Sequence, residues 1–299
     1  MKRIWTVVTM MVLAGAPLAA VQASKQVHVD ASMLVTGKIS VSKQGLVTGY
    51  ELDQTNKLPK LVVNLLSRFI PHWRFKPLML HGSPIGGSVP MTLRLVAKRT
   101  GKNHYRISLE GYQFGSTNPA FTLQKKHIYP PQYPAREDGE DGLALAGGRA
   151  YVGGIVYLFL QVNRQGRVMH VFAQQVNLTE TPKDPAFINP ALMRRWRRDF
   201  AQAAVKAAWK WTFKIPKKGP AASQPYWYAR MPIDFRLRLD PSTTHFGYGQ
   251  WMPYIPGPRK PIPWLKNKQV ASGSVDAQVP DTLLTLHQQL QLADQTKKS

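Results

Sequence analysis

The 299-residue sequence contains no cysteine. Disulfides, thiol nucleophiles and cysteine-ligated metals are therefore excluded, and stability has to come from a packed core or from one part packing on another. Acidic residues are scarce. Forty Lys and Arg stand against 16 Asp and Glu, a formal charge of +24. Such a surface attracts polyanions; the alternative is that the charge serves mostly solvation and solubility. No apolar run reaches the roughly 20 residues that span a bilayer; the longest candidate, residues 5–16, is closed by Pro17. There is no P-loop, no G-x-S-x-G and no dinucleotide fingerprint. None of the histidines (His28, His72, His81, His104, His127, His170, His245, His287) pairs at i, i+4 or adjoins a carboxylate cluster. Neither a metal centre nor a catalytic triad is expected from them. The acidic run 137–142 lacks the spacing of a calcium loop and reads as an exposed loop. These absences predict a protein without a catalytic site or cofactor.

What is present begins at the N-terminus. Met1-Lys2-Arg3 is basic, residues 5–16 are apolar, and Val21-Gln22-Ala23 supplies small residues for signal peptidase. This predicts export with residues 1–23 removed as a signal peptide; the alternative is an uncleaved anchor in the inner membrane.

Two stretches then share one order of signals. Residues 34–52 alternate around Lys43-Gln44-Gly45, a hairpin pattern. Leu58, Leu61, Val62, Leu65, Leu66 and Phe69 follow at helical spacing. Trp73-Arg74-Phe75-Lys76 leads to a strand with Val89, Met91, Leu93 and Leu95 on one face. In the second stretch, residues 154–162 and 167–176 flank the turn Asn163-Arg164-Gln165-Gly166. A helix over about 190–211 carries Leu192, Trp196, Phe200, Ala204, Ala207 and Trp211 on one side, and arginines and lysines over much of the rest. Trp196, Trp209 and Trp211 read as packing residues. Trp211-Thr212-Phe213-Lys214 precedes a last strand with Met231, Ile233, Phe235 and Leu237 on one face and Arg230, Asp234, Arg236 and Arg238 on the other. Three anchors recur in order: Gln-Gly-x-Val at 44 and 165, Trp-x-Phe-Lys at 73 and 211, and Pro-x-x-x-Arg-Leu at 90 and 232. The repetition predicts an internal duplication of a strand–strand–helix–strand unit. Beyond residue 239 the chain turns rich in proline and aromatics and should be extended. Residues 266–279 read as disordered, and Pro280-Asp281 predicts a short helix to about Ala293.

Pro131-Gln132-Tyr133-Pro134-Ala135-Arg136 resembles the Q-Y-P-A-R motif that opens the C-terminal domain of the TonB family of energy transducers. Gly154-x-Val156, Gln165-Gly166-Arg167-Val168, the helix ending in Trp211-x-Phe213, and Met231-Pro232-Ile233-Asp234-Phe235 resemble the family's later motifs in order. The likeness covers about 128–238 well and 34–97 more weakly. It departs from the family in having its proline-rich stretch after the domain, insertions at 136–154 and 177–190, and no histidine in the apolar N-terminal segment.

The resemblance implies an α+β fold of two tandem strand–strand–helix–strand units, a degenerate one at 24–115 and a fuller one at 127–238, followed by the tail 239–299. It implies a periplasmic binding protein that engages outer-membrane receptors or other envelope proteins by strand addition, in which an extended peptide pairs with a sheet edge. Contact residues implied in this way are Gln132, Tyr133, Pro134, Ala135 and Arg136, together with Tyr226, Tyr228, Arg230 and Asp234 on the last strand. The alternative is a structural envelope protein whose basic faces bind peptidoglycan or anionic lipid. Nucleic acid is not an expected partner of an exported chain.

Overall fold

A computed structural model describes residues 29–80, 82–102, 104–115, 123–131, 144–145, 148–149, 152–180, 189–217, 221–236, 246–265, 273–286 and 290–293. Residues 1–23, read above as a signal segment, Gln132, Tyr133, Pro134, Ala135 and Arg136, and the acidic run 137–142 lie outside the described residues. The strands in chain order are β1 (Asp30–Val41), β2 (Val47–Leu52), β3 (Leu78–Leu80), β4 (Ser83–Ile85), β5 (Gly87–Gly101), β6 (His104–Phe114), β7 (Gln124–His127), β8 (Ala144–Leu145), β9 (Gly148–Arg149), β10 (Gly153–Asn163), β11 (Val168–Glu180), β12 (Thr212–Lys214), β13 (Tyr226–Arg236), β14 (Met252–Tyr254) and β15 (Leu284–Thr285). Helix α1 spans Lys60–Phe69 and α2 Pro190–Ala208. The fold is α+β and sheet-rich, with all strand pairs antiparallel. Among the described residues no helix is long and apolar enough to cross a membrane.

Two sheets hold most of the structure. In the first, β1 lies between β5 and the pair β2 and β14, and β6 adds outside β5. In the second the order is β11-β10-β13-β15. Both begin with a hairpin closed by a glycine that L side chains rarely replace: Gly45 has φ 78° and Gly166 φ 75°. A side chain before each glycine ties the turn. Ser42 Oγ accepts from the amides of Gln44 and Leu46 (3.2 and 3.3 Å), and Asn163 Oδ1 from those of Gln165 and Arg167 (3.0 and 2.9 Å). Each glycine carbonyl then accepts from a phenylalanine amide after the helix, Phe75 or Phe213, both at 2.8 Å. The recurring Trp-x-Phe-Lys segment therefore binds the hairpin turn in both sheets, and its Trp and Phe are buried.

Each helix covers one face of its sheet. Val62 and Leu66 of α1, with Ile70, pack on Met33, Val35, Ile39, Leu93 and Leu95. Helix α2 starts at Asn189, whose Oδ1 accepts from the Leu192 amide (2.9 Å), with Pro190 opening the first turn. Its Met193, Trp196, Phe200, Ala203, Ala204 and Ala207 pack on Val156, Leu158, Leu160, Met231, Ile233 and Phe235. Burying this many apolar side chains is the main favourable contribution to the fold. Trp209, at the end of α2, is 50% exposed and packs in neither core. It corrects the expectation that it is a packing residue, because Ala208 and Trp211 take the inward positions there.

The tail departs from expectation. Residues 273–279 are described and enclose Val275 and Ala277, 1% and 0% exposed, where disorder was expected. Instead of a helix from Pro280, the described residues turn at 280–281 and then run into β15. The cause is a supply of unpaired backbone groups on neighbouring sheet edges, which an extended segment satisfies and a helix would leave unmet. Three further ties follow from this. Strand β14 pairs with β1, Ile255 and Leu178 exchange two backbone bonds of 3.0 Å, and Ala293 donates to the Arg74 carbonyl at 2.8 Å.

Candidate partner-binding edge

Strand β13 alternates, so it presents two faces. Trp227, Ala229, Met231, Ile233 and Phe235 are buried towards α2, as the pattern predicted. The other face carries Tyr226, Tyr228, Arg230, Pro232 and Asp234. The contact reading above needs this face open to a partner, but Arg230 is 0% exposed, Pro232 is buried, and Tyr228 and Asp234 are half-buried. Only Tyr226, at 42%, is well exposed. The physical reason is that this face packs against the first sheet. Arg230 Nη1 donates to Gln113 Oε1 of β6 at 3.2 Å. Arg94 of β5 reaches the other way, donating from Nη2 to the Tyr157 hydroxyl of β10 at 3.2 Å.

The seam between the sheets is polar and closely bonded around Arg94. Its Nη1 donates to Ser32 Oγ (2.8 Å) and its Nε to the Asp276 carbonyl (2.6 Å), and its guanidinium lies 5.1 Å from the Tyr254 ring centroid. Asp276 Oδ2 accepts from the Tyr254 hydroxyl (2.6 Å) and Asn177 Nδ2 (3.1 Å), and lies 3.9 Å from Arg94 Nε. Burial and the nearby carboxylate raise the hydroxyl pKa of Tyr254 well above the usual tyrosine range; burial does the same for Tyr157. Both phenols therefore stay protonated and act as donors.

Arg230 is less well served. Its Nε and Nη2 have no hydrogen-bond partner, and no carboxylate pairs with it among the described residues. Burial, helped by the charge of Arg259, pulls its pKa down to about 9. It remains charged at neutral pH, with two buried donors unmet.

The β13 edge itself is occupied by the chain's own tail. Leu286 donates its amide to the Tyr228 carbonyl (2.8 Å) and Asp281 to the Pro232 carbonyl (2.9 Å), while Gln278 Nε2 reaches the Arg230 carbonyl (3.1 Å). Strand pairing is confined to Ala229↔Thr285 and Arg230↔Leu284. Pro232 has no N–H, which suits a strand at an edge. Tyr226 and Tyr228 meet edge to face, with centroids 5.2 Å apart, at the exposed end. Burial, with the Tyr226 hydroxyl adding to it, pushes Tyr228 up to about 12.

A basic surface lies on the far side of α2. Arg194, Arg198 and Lys206 are exposed along it, with exposed Trp209 and Lys210 just past its end, and exposed Lys125, Lys126 and Lys214 lie on the β7–β12 pair. Asp199 takes two of the helix arginines, Arg195 at 3.8 Å and Arg198 at 3.6 Å. Among the described residues no group of three or more His, Asp or Glu is arranged to hold a metal ion.

Sequence reasoning placed Tyr226, Tyr228, Arg230 and Asp234 together on β13, and the structure keeps them on one strand face. It missed Arg94, Gln113, Tyr157, Asp276 and the tail strand β15. One signal for the seam was available: residues 154–160 of β10 are apolar at nearly every position, the mark of a strand buried on both faces. Compared with known proteins, the chain matches no family model, no curated protein and no solved structure.

Proposed function

We propose that this is a periplasmic binding protein of TonB-like type, built from two tandem strand–strand–helix–strand units, which captures extended segments of envelope proteins along the β13 edge. The observation that carries the reading is β15. A segment about fifty residues distant in sequence already lies on this edge as an added strand, paired through only two residues. An edge that accepts a short remote strand has the backbone geometry for strand addition, and a longer partner strand would offer more bonds in the same place. The duplicated hairpin–helix–strand order and the identical glycine–phenylalanine ties support the tandem reading. The motif Gln132 to Arg136, upstream of β10 in sequence, belongs to the same proposal as a second contact segment. An outer-membrane receptor is the partner class that the resemblance suggests. No chemistry is assigned to the protein.

The test is selection of a random-peptide display library on the immobilised full-length chain, followed by amide exchange of the protein with the winning peptides. Strand addition predicts slower exchange at 226–236, faster exchange at 278–286, and binding that survives moderate salt. Binders that protect other residues, or that dissociate as salt screens charge, would refute it.

A second reading has its own observation. The exposed Trp209 among Lys206, Lys210 and Lys214 combines an interfacial aromatic with cations, the composition of a surface that lies against anionic lipid or cell-wall polymer. Binding to anionic vesicles that is lost on replacing Trp209 and Lys210 together would support it, and binding unaffected by that change would count against it.

A further inference from the structure

We infer that Arg230 is a receptor for a side-chain carboxylate on the incoming strand, and that β15 is a placeholder whose Leu284 occupies the position that carboxylate would take. This rests on strand addition at β13 and specifies its partner as an acidic extended peptide. In an antiparallel pair, residues directly opposite share a face, so Leu284 and Arg230 are neighbours across the edge. The same site lies at the end of β6. A Cβ on Gly115 would fall 2.8 Å from Leu284 Cδ1, and Gln113, two residues earlier, holds Arg230 Nη1. Leu284, an apolar side chain opposite Arg230, offers the guanidinium no acceptor. Gln278, the other tail residue at this point, turns its amide nitrogen to the Arg230 and Thr282 carbonyls, and its own Oε1 is also unpartnered. Placeholder and receptor therefore both retain unmet polar atoms when paired. A carboxylate would satisfy Nε and Nη2 in the two-pronged geometry that guanidinium favours, with the charge of Arg259 adding attraction.

The experiment has an arm in cis and an arm in trans. In the full-length chain, Leu284→Glu supplies the missing carboxylate. The amides of Asp281 and Leu286 should then exchange more slowly than in the wild type, with melting unchanged or raised, whereas Leu284→Gln and Leu284→Lys should exchange faster. The gain should vanish in Arg230→Met, which retains length and apolar volume. In trans, a synthetic peptide of residues 278–286 carrying Leu284→Glu should bind the full-length protein about tenfold more tightly than its Leu284→Gln counterpart. If Leu284→Glu loosens the tail as much as Leu284→Lys, or the two peptides bind alike, the carboxylate assignment is wrong. The cis arm needs no partner, so it separates the two ideas. Failure in cis with display peptides still protecting β13 removes only the role of Arg230; success in cis with no peptide protecting β13 removes strand addition.

Discussion

Strands β5 and β13 hold the same place in their sheets, and each has one outer side to be covered. The first sheet covers β5 with β6, its own hairpin partner, in a register running from Met91↔Phe114 to Gly101↔His104. The second covers β13 with β15, two residues long and contributed by the tail. A local hairpin closes its slot at little loop cost, and its long pairing leaves no room for another strand. A remote tail pays more entropy for each bond and is the weaker occupant. The contrast separates an edge closed by a long hairpin from one closed by two residues of the tail, and the second is where strand addition is proposed.

The comparison can be broken most sharply at the two matched tryptophans. Trp211 is 1% exposed and donates from Nε1 to the Tyr129 carbonyl at 2.8 Å. Trp73 is 7% exposed and packs edge-on to Phe75 and Phe114. Trp211→Ala should destabilise by about 3–5 kcal/mol, with Trp73→Ala at the lower end of that range; urea denaturation followed by circular dichroism measures both. An equal or larger loss for Trp73 would show that the second core is not the more tightly specified one.

The turn glycines test equivalence instead of difference. A Cβ at Gly45 or Gly166 would lie 2.0 Å from the carbonyl oxygen of Phe75 or Phe213. Gly45→Ala and Gly166→Ala should each cost about 1–3 kcal/mol, through backbone strain and the displaced tie, and by closely matched amounts. Tolerance at one position alone would end the parallel.

The smallest effect belongs to the β5–β6 hairpin. Lys98 Nζ bonds Glu110 Oε1 at 2.9 Å, and that bond, with one from Ser108, lowers the Glu110 pKa, while the same bond raises that of Lys98. The carboxylate's contribution is present above the ordinary glutamate pKa and is lost as pH falls through the lowered folded value. The lysine's contribution is present below the ordinary lysine pKa and is lost as pH rises through the raised one. Both groups are well exposed, so the pair should be worth about 0.2–1 kcal/mol and less in high salt. Titrating Glu110 by NMR in Lys98→Met should show its pKa moving up; no movement would remove the ion pair from the account.

Much of the local structure was legible because it follows from short-range rules. Period and turn residues located the β1–β2 and β10–β11 hairpins, both helices and the inward face of β13, and the repeated Trp-x-Phe-Lys proved to be the segment that ties each turn. The outward face was not legible. An arginine at 94 or 230 alternating with apolar residues reads the same whether water or another sheet lies over it, and only the unbroken apolar run of β10 hinted at the second cover. The tail was illegible for a different reason. Its backbone is ordered by edges more than fifty residues away, and no local propensity encodes that; the Pro-Asp pair at 280–281 looked like a helix start because its partners were invisible.

The route of the tail also determines when the molecule is complete. Tyr248 accepts from the amide of Thr36, Ile255 joins β11, residues 281–286 join β13, and Gln291 accepts from the amide of Lys76. These contacts thus join residues of the tail to residues of both sheets and the segments around them. Each sheet takes its hairpin and helix from neighbouring residues, yet each is sealed by a segment far along the chain. Contacts of such long range are slow to form, so the closing of both sheets should be among the last steps of folding.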